Sequence, residues 1–352
     1  MLTLATFLIA QALQVFVSVD AGGEAKPISP YIYGMNNALS SWTGQANSVE
    51  FVRLRDAGVR LFRDNGGNNA TKYNWRLKLS SHPDWYNNVY SNDWDHRAEL
   101  LSENFPNAKG LFAFQLLGKA AATTNQNFND WGYNQSQWWE GVRNNWAGGG
   151  GPTRGEGNPD LYLMDWPADS TVGILEHWFG ERGLRLEPSQ FQYWNMDNEP
   201  EIWNGTHDDV MPTQLPAEEF MQKYFAVAKK ARAAYPEIKL LGPSPANEWQ
   251  WYNWTNGIRY DGRHHSWLEY FIRRIGEEQQ ASGVRLLDVL DVHFYPYETN
   301  PRDVVQLHRV WFDTSYDYPG ANGVKAISGG WNQSLTKEYL FERCRQWLDQ
   351  YL

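Results

Sequence analysis

Residues whose side chains could take part in a reaction are concentrated between Tyr193 and Trp203, where the sequence reads Tyr-Trp-Asn-Met-Asp-Asn-Glu-Pro-Glu-Ile-Trp. Alternating aromatic and apolar residues before Asn195 predict the end of a buried strand, and the residues that follow predict the loop leaving it. Glu199 therefore lies just past a strand end, with an amide before it and a proline after it. A carboxylic acid held partly desolvated in such a loop can act as a general acid.

This interpretation of Glu199 has a structural alternative. The same carboxylate could instead cap a neighbouring helix or pair with an arginine, but the Asn-Glu-Pro context and the position at a strand end favour the catalytic role. Trp203 places an indole within reach and favours the desolvated acid. We interpret Glu201 as an ordinary loop carboxylate.

Composition narrows the class of ligand. The chain has 352 residues, a formal net charge of −10 and no block of Lys or Arg, which argues against nucleic acid and against an anionic membrane surface. The single cysteine excludes a disulfide framework within the chain and any cysteine-based metal cluster. Nineteen Trp and nineteen Tyr indicate either an aromatic core or exposed rings that a flat apolar ligand such as a sugar would cover.

Predicted strands and helices alternate along the chain. Strands are predicted at residues 28–36, 59–63, 110–117, 191–195, 239–242 and 288–293. Helices are predicted at 49–57, 95–104, 169–182, 216–235, 266–280 and 335–351. Six such units call for a parallel sheet with right-handed crossovers. Because the chemistry follows strand ends, we predict an α/β fold of the (β/α)8 (TIM) barrel type, incomplete at six units.

An open parallel sheet that binds a nucleotide is the structural alternative. The run Gly148-Gly149-Gly150-Gly151 has no strand before it and no Lys-Ser/Thr after it, which argues against a phosphate loop. It lies instead in a long insertion, residues 118–165, that carries Trp131, Trp138, Trp139 and Trp146. A loop of this length without secondary structure of its own is usually functional. Residues 73–95 are predicted to form a second aromatic loop.

Residues 195–207 resemble glycoside hydrolase family 44, the endoglucanases and xyloglucanases of the large retaining (β/α)8 clan. Four further stretches carry the resemblance: residues 28–36, residues 66–75, residues 161–164 and residues 288–296. The similarity thus extends over nearly the whole chain. It implies cleavage of β-1,4-glucan or xyloglucan backbones with retention, and a small β-sandwich built from both chain termini. Residues 13–27 would supply one strand of that sandwich, and residues 28–352 units one to six of the barrel.

The resemblance also implies roles for individual residues. Glu199 matches the general acid/base, Asn198 the amide that binds the substrate 2-hydroxyl, and Arg63 the arginine near the nucleophile. His293 and Tyr295 match groups at the end of the sixth strand. The remaining implied substrate contacts are Asn68, Tyr73, Asn74, Trp75 and Trp203, of which the three aromatic residues are candidates for sugar stacking.

One family feature has no counterpart in the sequence. Retaining hydrolysis requires a second carboxyl about 5 Å from the first, and the family places it at the end of the seventh barrel strand. The chain ends at Leu352, before that strand, so we expect it to be a fragment that is inactive alone. Glu298 is the one plausible substitute, since Asp303 lies farther along the same loop and Glu338 and Glu342 lie on a helix.

Other functions remain open at this point. The chain could be a non-catalytic glycan-binding protein with the same cleft, or a hydrolase of the clan that acts on xylan or mannan. We expect no required cofactor. No spacing of His264-His265 or His207-Asp208-Asp209 suits zinc, whereas a structural calcium stays possible. Residues 1–12 resemble the remnant of a secretory signal peptide, so a secreted monomer is expected.

Overall fold

The computed structural model describes residues 16, 18, 22–23, 27–40, 46–64, 66–82, 88–124, 159–207, 209–247, 249–255, 257–295, 298–311, 313, 324–325, 331–332 and 339–352. The signal-peptide region, most of residues 13–27 and the four tryptophans of the long insertion lie outside this part. Those assignments, including the small β-sandwich, therefore remain predictions.

The elements of the described part are numbered in chain order. The strands are β1 (Gly34–Asn36), β2 (Leu61–Arg63), β3 (Leu79–His82), β4 (Asn88–Ser91), β5 (Lys109–Phe114), β6 (Lys119–Ala121), β7 (Leu163–Asp165), β8 (Tyr193–Met196), β9 (Lys239–Pro243), β10 (Ile258–Tyr260), β11 (Arg263–His265), β12 (Val289–Asp291), β13 (Val324–Lys325) and β14 (Trp331–Asn332). The α-helices are α1 (Ser48–Asp56), α2 (Asn68–Thr71), α3 (Trp94–Asn104), α4 (Ala168–Phe179), α5 (Trp203–Thr206), α6 (Ala217–Ala234), α7 (Trp267–Ser282), α8 (Pro301–Val304) and α9 (Tyr339–Tyr351).

Six strands form one parallel sheet in the order β1-β2-β5-β8-β9-β12. Each new unit of the chain adds its strand beside the previous one. A doubly wound open sheet would reverse its strand order at a switch point, whereas a (β/α) barrel adds strands in sequence. The predicted parallel sheet is confirmed, and its order is that of a barrel built through the sixth strand.

Strand register brings the predicted site residues to one edge. Asn36 lies opposite Arg63, and Phe114 lies opposite Met196. The loops that begin after these residues therefore leave from the same, carboxyl-terminal edge of the sheet. This edge is where a (β/α) barrel assembles its active site.

Aromatic rings fill the core between the sheet and its helices. Trp194 on β8 stacks on Phe114 at 4.6 Å and packs against Trp178 of α4 at 5.4 Å. The Trp178 indole N–H donates to the Asp95 carboxylate at 2.8 Å, so its one polar group is satisfied. Among the described residues, seven tryptophans are fully buried: Trp94, Trp166, Trp178, Trp194, Trp203, Trp251 and Trp267. Much of the aromatic excess thus serves the core.

Two sequence-based assignments are corrected. Residues 28–36 are not one strand, because Pro30 to Ile32 form a 3-10 turn that the Ser29 hydroxyl caps, and β1 is confined to Gly34–Asn36. The loop predicted at residues 73–95 contains the antiparallel hairpin β3–β4. The antiparallel strand pair β6–β7 and the hairpin β10–β11 were not predicted either. Within the described residues, no helix combines the length and apolarity that crossing a membrane requires.

Helix α9 packs against α7 at a glycine. A Cβ atom at Gly276 would lie 1.9 Å from the Tyr351 carbonyl oxygen, far inside contact distance. We therefore expect Gly276→Ala to lower the free energy of unfolding by about 1–3 kcal/mol, because the α9 backbone has to move. Urea denaturation followed by circular dichroism measures the change.

Gly205 provides the matched control for this substitution. It also lies in a helix, α5, and a Cβ atom there meets nothing within 4 Å. Gly205→Ala should leave stability unchanged or slightly higher, since alanine is the better helix former. Equal stability of the two variants would contradict the close packing of α7 and α9.

Candidate active site

The loop after β8 contains two non-glycine residues in left-handed backbone conformation. Asp197 has φ of 70° and Glu199 has φ of 48°. Such conformations cost free energy and persist where surrounding contacts fix them, often at functional sites. Side-chain and backbone hydrogen bonds hold both residues here.

Asp197 is fully buried and accepts hydrogen bonds from three directions. Oδ1 accepts from the Thr71 hydroxyl at 2.7 Å and from the Asn198 N–H at 2.8 Å, and Oδ2 accepts from the Leu116 N–H at 2.6 Å. Burial raises the pKa of Asp197 to about 6 in spite of these donors. The carboxylate joins the loops that follow β2, β5 and β8.

Glu199 projects from this loop toward the end of the sixth sheet strand. Its Oε1 lies 2.9 Å from Nδ1 of His293, and its backbone N–H donates to the Ser244 carbonyl at 3.0 Å. The Glu199 side chain is 17% exposed and that of His293 is 16% exposed. The pair is thus partly desolvated yet reachable from solvent, which suits a group that exchanges protons with a ligand.

His293 is held at three points. Its backbone N–H donates to the Pro245 carbonyl at 3.2 Å, and its backbone carbonyl accepts from the Trp251 indole N–H at 3.0 Å. The edge of its ring faces Tyr295, with ring centroids 5.9 Å apart. Tyr295 is 52% exposed, so the structure brings it to the surface beside the Glu199–His293 pair.

Polar side chains connect the ends of β1, β2 and β8. The Asn198 amide donates to Oδ1 of Asn68 at 2.9 Å and accepts a long bond, 3.5 Å, from the Arg63 guanidinium. Arg63 also reaches Asn36 Oδ1 at 3.5 Å. A Cβ atom at Gly66 would lie 2.2 Å from the Arg63 guanidinium carbon, so glycine leaves the room that the arginine occupies.

Comparison with known proteins identifies the family of this chain. The model of glycoside hydrolase family 44 matches residues 79–298, more than half of the sequence. The chain belongs to glycoside hydrolase family 44. Arg63 lies outside the matched segment, while Asn198, Glu199 and His293 lie within it.

Curated relatives are longer than this chain. It is 25% identical to an endoglucanase A of Paenibacillus lautus over 311 residues, which covers 82% of this chain and 40% of the relative. It is 22% identical to a β-mannanase/endoglucanase A of Caldicellulosiruptor saccharolyticus over 301 residues, which covers 80% of this chain and 21% of the relative. The chain therefore spans less than half the length of these two relatives.

Solved structures of similar fold include two with TM-scores of 0.65. One is a bifunctional glucanase-xylanase from a metagenome library, at 21% identity, and the other a family 44 xyloglucanase of Paenibacillus polymyxa, at 19% identity. Each match covers 93% of this chain and 65% of the other. At these identities the likeness shows the fold, which is a partial (β/α) barrel.

Three of the predicted substrate contacts of this family 44 chain need correction because they are buried. Trp203 and Tyr73 are 0% exposed and Asn74 is 1% exposed. Tyr73 stacks on Trp94 with ring centroids 3.9 Å apart, and the Trp203 indole donates to the Asn198 carbonyl at 2.9 Å. Neither ring offers a face to a sugar. The Asn74 amide donates to the Ala121 carbonyl at 2.7 Å, and its Oδ1 fixes the following turn by accepting from the N–H groups of Arg76 and Leu77.

Trp75 is half-buried, and the structure does not bring it together with Glu199. Its indole donates to the Ser170 carbonyl at 2.7 Å, and its ring stacks on His177 at 5.0 Å. Both partners lie on α4. These contacts assign Trp75 to the packing between the loop after β2 and that helix.

Sequence reasoning missed a second polar cluster, formed by Asn195, Ser244 and Asp291. The Asn195 amide donates to Ser244 Oγ at 2.9 Å and to Asp291 Oδ2 at 2.6 Å, and Ser244 Oγ donates to the same oxygen at 2.6 Å. The cluster joins the ends of β8, β9 and β12. Strand ends that carry short polar residues were the available signal.

Glu201 was also misjudged, because it is not an ordinary loop carboxylate. It is 3% exposed, and burial raises its pKa to about 8. Its Oε1 accepts from the Ala246 N–H at 2.7 Å. Proximity to Glu199 in sequence gave no sign of this burial, since the covering segment lies some forty residues farther along the chain.

The remaining acidic candidates have local partners. Glu298 accepts hydrogen bonds from the N–H groups of Thr299 and Asn300, and Asp303 accepts from the Asn300 amide. Glu342 pairs with Arg345, and Glu338 lies outside the described residues. Among the residues that the structure describes, no group of three or more His, Cys, Asp or Glu is placed to hold a metal ion.

The Asp197 carboxylate gives a direct test of how the site is assembled. Asp197→Asn would turn an NH2 group toward at least one of three buried donors and leave that donor unpaired. We expect a loss of about 1–3 kcal/mol in the free energy of unfolding. Chemical denaturation at a pH above 7, where wild-type Asp197 is ionised, measures it.

Thr71→Val is the matched control. It removes one donor and leaves the two backbone N–H groups paired with the carboxylate, so its loss should be the smaller. If Asp197→Asn were as stable as the wild type, the carboxylate would not be what joins the three loops.

Proposed function

We propose that this chain carries the acid/base half of a retaining endo-β-1,4-glucanase or xyloglucanase. The observation that carries the proposal is the contact between Glu199 and His293 at the carboxyl-terminal edge of the parallel sheet. The pair is partly desolvated, and it lies in the segment that the family 44 model matches. The names of the relatives, endoglucanases and a xyloglucanase among them, support the substrate class.

In this mechanism Glu199 acts twice. Its protonated carboxyl first donates a proton to the glycosidic oxygen as the bond to the anomeric carbon breaks and a nucleophilic carboxylate forms a bond to that carbon. The resulting carboxylate then takes a proton from water, whose oxygen displaces the nucleophile with the same configuration restored. His293 orients the Glu199 carboxyl for both steps.

The nucleophile is assigned to none of the carboxylates described above. Asp197 and Glu201 are buried, Asp291 is bonded to Asn195 and Ser244, and Glu298 caps its own turn. We propose that sequence beyond this chain supplies it, which agrees with the partial coverage of the relatives. Arg63 would then contact the substrate, while Asn198, predicted to do the same, is 3% exposed and bonded to Asn68 and Arg63, so it would reach the 2-hydroxyl only by exchanging one of these bonds.

The proposed ligand is a neutral plant cell-wall polysaccharide. A net charge of −10 disfavours polyanions, and no step of the mechanism needs a cofactor. We further propose that the protein is secreted, since its substrate is extracellular, and that it acts as a monomer. Xylan and mannan are the rival backbones, because the names of two relatives include xylanase and mannanase.

The test is the release of reducing ends from xyloglucan, carboxymethylcellulose, xylan and mannan. It compares the 352-residue chain with the same chain extended through its reading frame. We expect activity of the extended protein on the first two substrates, none of the short chain, and a first-formed product of retained configuration by proton NMR. Binding of xyloglucan without hydrolysis by both proteins would instead indicate a glycan-binding protein.

Glu199→Gln tests the acid/base role in the active protein. We expect kcat on polysaccharide to fall by about 100- to 10,000-fold, because the leaving oxygen is no longer protonated. An aryl glycoside with an acidic phenol needs little protonation, so its first step should be far less impaired. The control is Glu219→Gln, an exposed residue of α6, which should retain full activity. Equal losses on both substrates would contradict the general-acid role.

A further inference from the structure

Glu201 is a buried carboxyl two residues after the proposed acid/base. One of its oxygens, Oε1, accepts the Ala246 N–H at 2.7 Å. The other, Oε2, is buried and has no hydrogen-bond partner among the described residues. A buried polar group normally has its hydrogen bonds satisfied, so a carboxyl kept here calls for an explanation.

The explanation lies in the three residues that follow β9, which we call the 244–246 segment. The Ser244 carbonyl accepts a hydrogen bond from the backbone N–H of Glu199 at 3.0 Å. The Pro245 carbonyl accepts one from the backbone N–H of His293 at 3.2 Å. The third residue, Ala246, donates to Glu201. The segment therefore holds the backbones of both members of the Glu199–His293 pair, and Glu201 holds the segment.

We propose that Glu201 is a positioning residue, which keeps Glu199 in contact with His293 by fixing the 244–246 segment through its bond to Ala246. The relevance of this contact to catalysis rests on the proposed function. The contact itself is a property of the folded chain and is measurable without substrate.

The charge state of Glu201 fits this role. Burial, and after it the nearby charge of Glu199, raises the pKa of Glu201 to about 8, so the carboxyl is protonated at neutral pH. The charged group that acts on Glu201 is Glu199, which in turn contacts His293, while Asp291 contacts Ser244 of the 244–246 segment. A neutral Glu201 accepts the Ala246 N–H without adding a second negative charge near Glu199. Glutamine should therefore replace it, whereas an apolar residue should not.

The first test uses the 15N chemical shift of His293 Nδ1 near neutral pH, which reports the hydrogen bond to Glu199. The shift in Glu199→Met, which has no acceptor for the His293 ring, defines the position of the broken contact. We expect Glu201→Met, of similar size but without an acceptor, to move the signal most of the way to that position. We expect Glu201→Gln to leave it at the wild-type position. Tyr224→Phe, which removes a buried bond to the Leu286 carbonyl, controls for general destabilisation and should not move it.

An unmoved signal in Glu201→Met would overturn the proposal, and so would a signal in Glu201→Gln that moves as far as in Glu201→Met. Absence of polysaccharide hydrolysis by the extended protein would refute the proposed function and leave this result untouched. The two failures are therefore distinguishable.

The second test needs no Glu201→Met protein and applies if that variant fails to fold. The folded chain binds the Glu201 proton more tightly than the unfolded chain, because the pKa rises from 4.5 to about 8. Wild-type stability thus declines as the pH rises through that window, while Glu201→Gln does not titrate. Thermal unfolding should give equal midpoints at the acidic end and a Glu201→Gln midpoint higher by a few degrees at the basic end. The exposed Glu219→Gln should show no such trend.

A Glu201→Gln protein that is less stable than the wild type across the whole range would overturn the proposal. That result would mean that the charge of Glu201, and not its capacity to accept the Ala246 N–H, stabilises the loop.

Discussion

The geometry of the site depends on the buried carboxylate of Asp197. The sheet strands that end beside it are only three to six residues long, so the ladders alone leave their loops free to diverge. Asp197 draws together a hydroxyl from the loop after β2, a backbone N–H from the loop after β5 and the N–H of its own successor. An apolar residue at this position would leave all three donors buried and unpaired. The Asp197 carboxylate thus holds together loops that the short strands alone would not fix.

A second set of hydrogen bonds holds strand ends together on the other side of Glu199. Asn195, Ser244 and Asp291 fix the ends of β8, β9 and β12 relative to one another. Between the two sets, the backbone of Glu199 is forced into a left-handed conformation. That conformation turns its side chain across β9 to His293, two residues past the end of β12. The order of the strands brings these residues to one edge of the sheet, and the polar contacts between the strand ends fix the positions of Glu199 and His293.

The features that depend on the order of the strands could be predicted from the sequence. Arg63 ends a strand and Asn198 and His293 each follow one, and parallel strands bring their ends to one edge, so the convergence of these residues was predictable. The burial of Trp203 and Glu201 was not, because residues distant in sequence cover them, including Ala246 for Glu201.

Short elements escaped prediction for a related reason. The β3–β4 hairpin pairs Ser81 with Val89 and Ser80 with Tyr90, a mixture of polar and aromatic residues with no clean alternation. The role of Tyr73 was missed because stacking on Trp94 depends on how that hairpin folds back. Aromatic composition alone does not distinguish an exposed ring that could stack on a sugar from a ring that is buried against another side chain.

Three acidic residues spaced two apart in the loop after β8 acquire different chemistry from their surroundings. Asp197 receives three donors, so its charge is used to hold loops together, whereas Glu201 receives the Ala246 N–H and keeps its proton at neutral pH. Glu199 is left as the acidic side chain of this loop that solvent can reach. Two carboxylates side by side would repel each other and raise the cost of ionising either. The placement of backbone N–H groups, rather than the number of acids in the motif, therefore determines which carboxyl can exchange protons with a ligand.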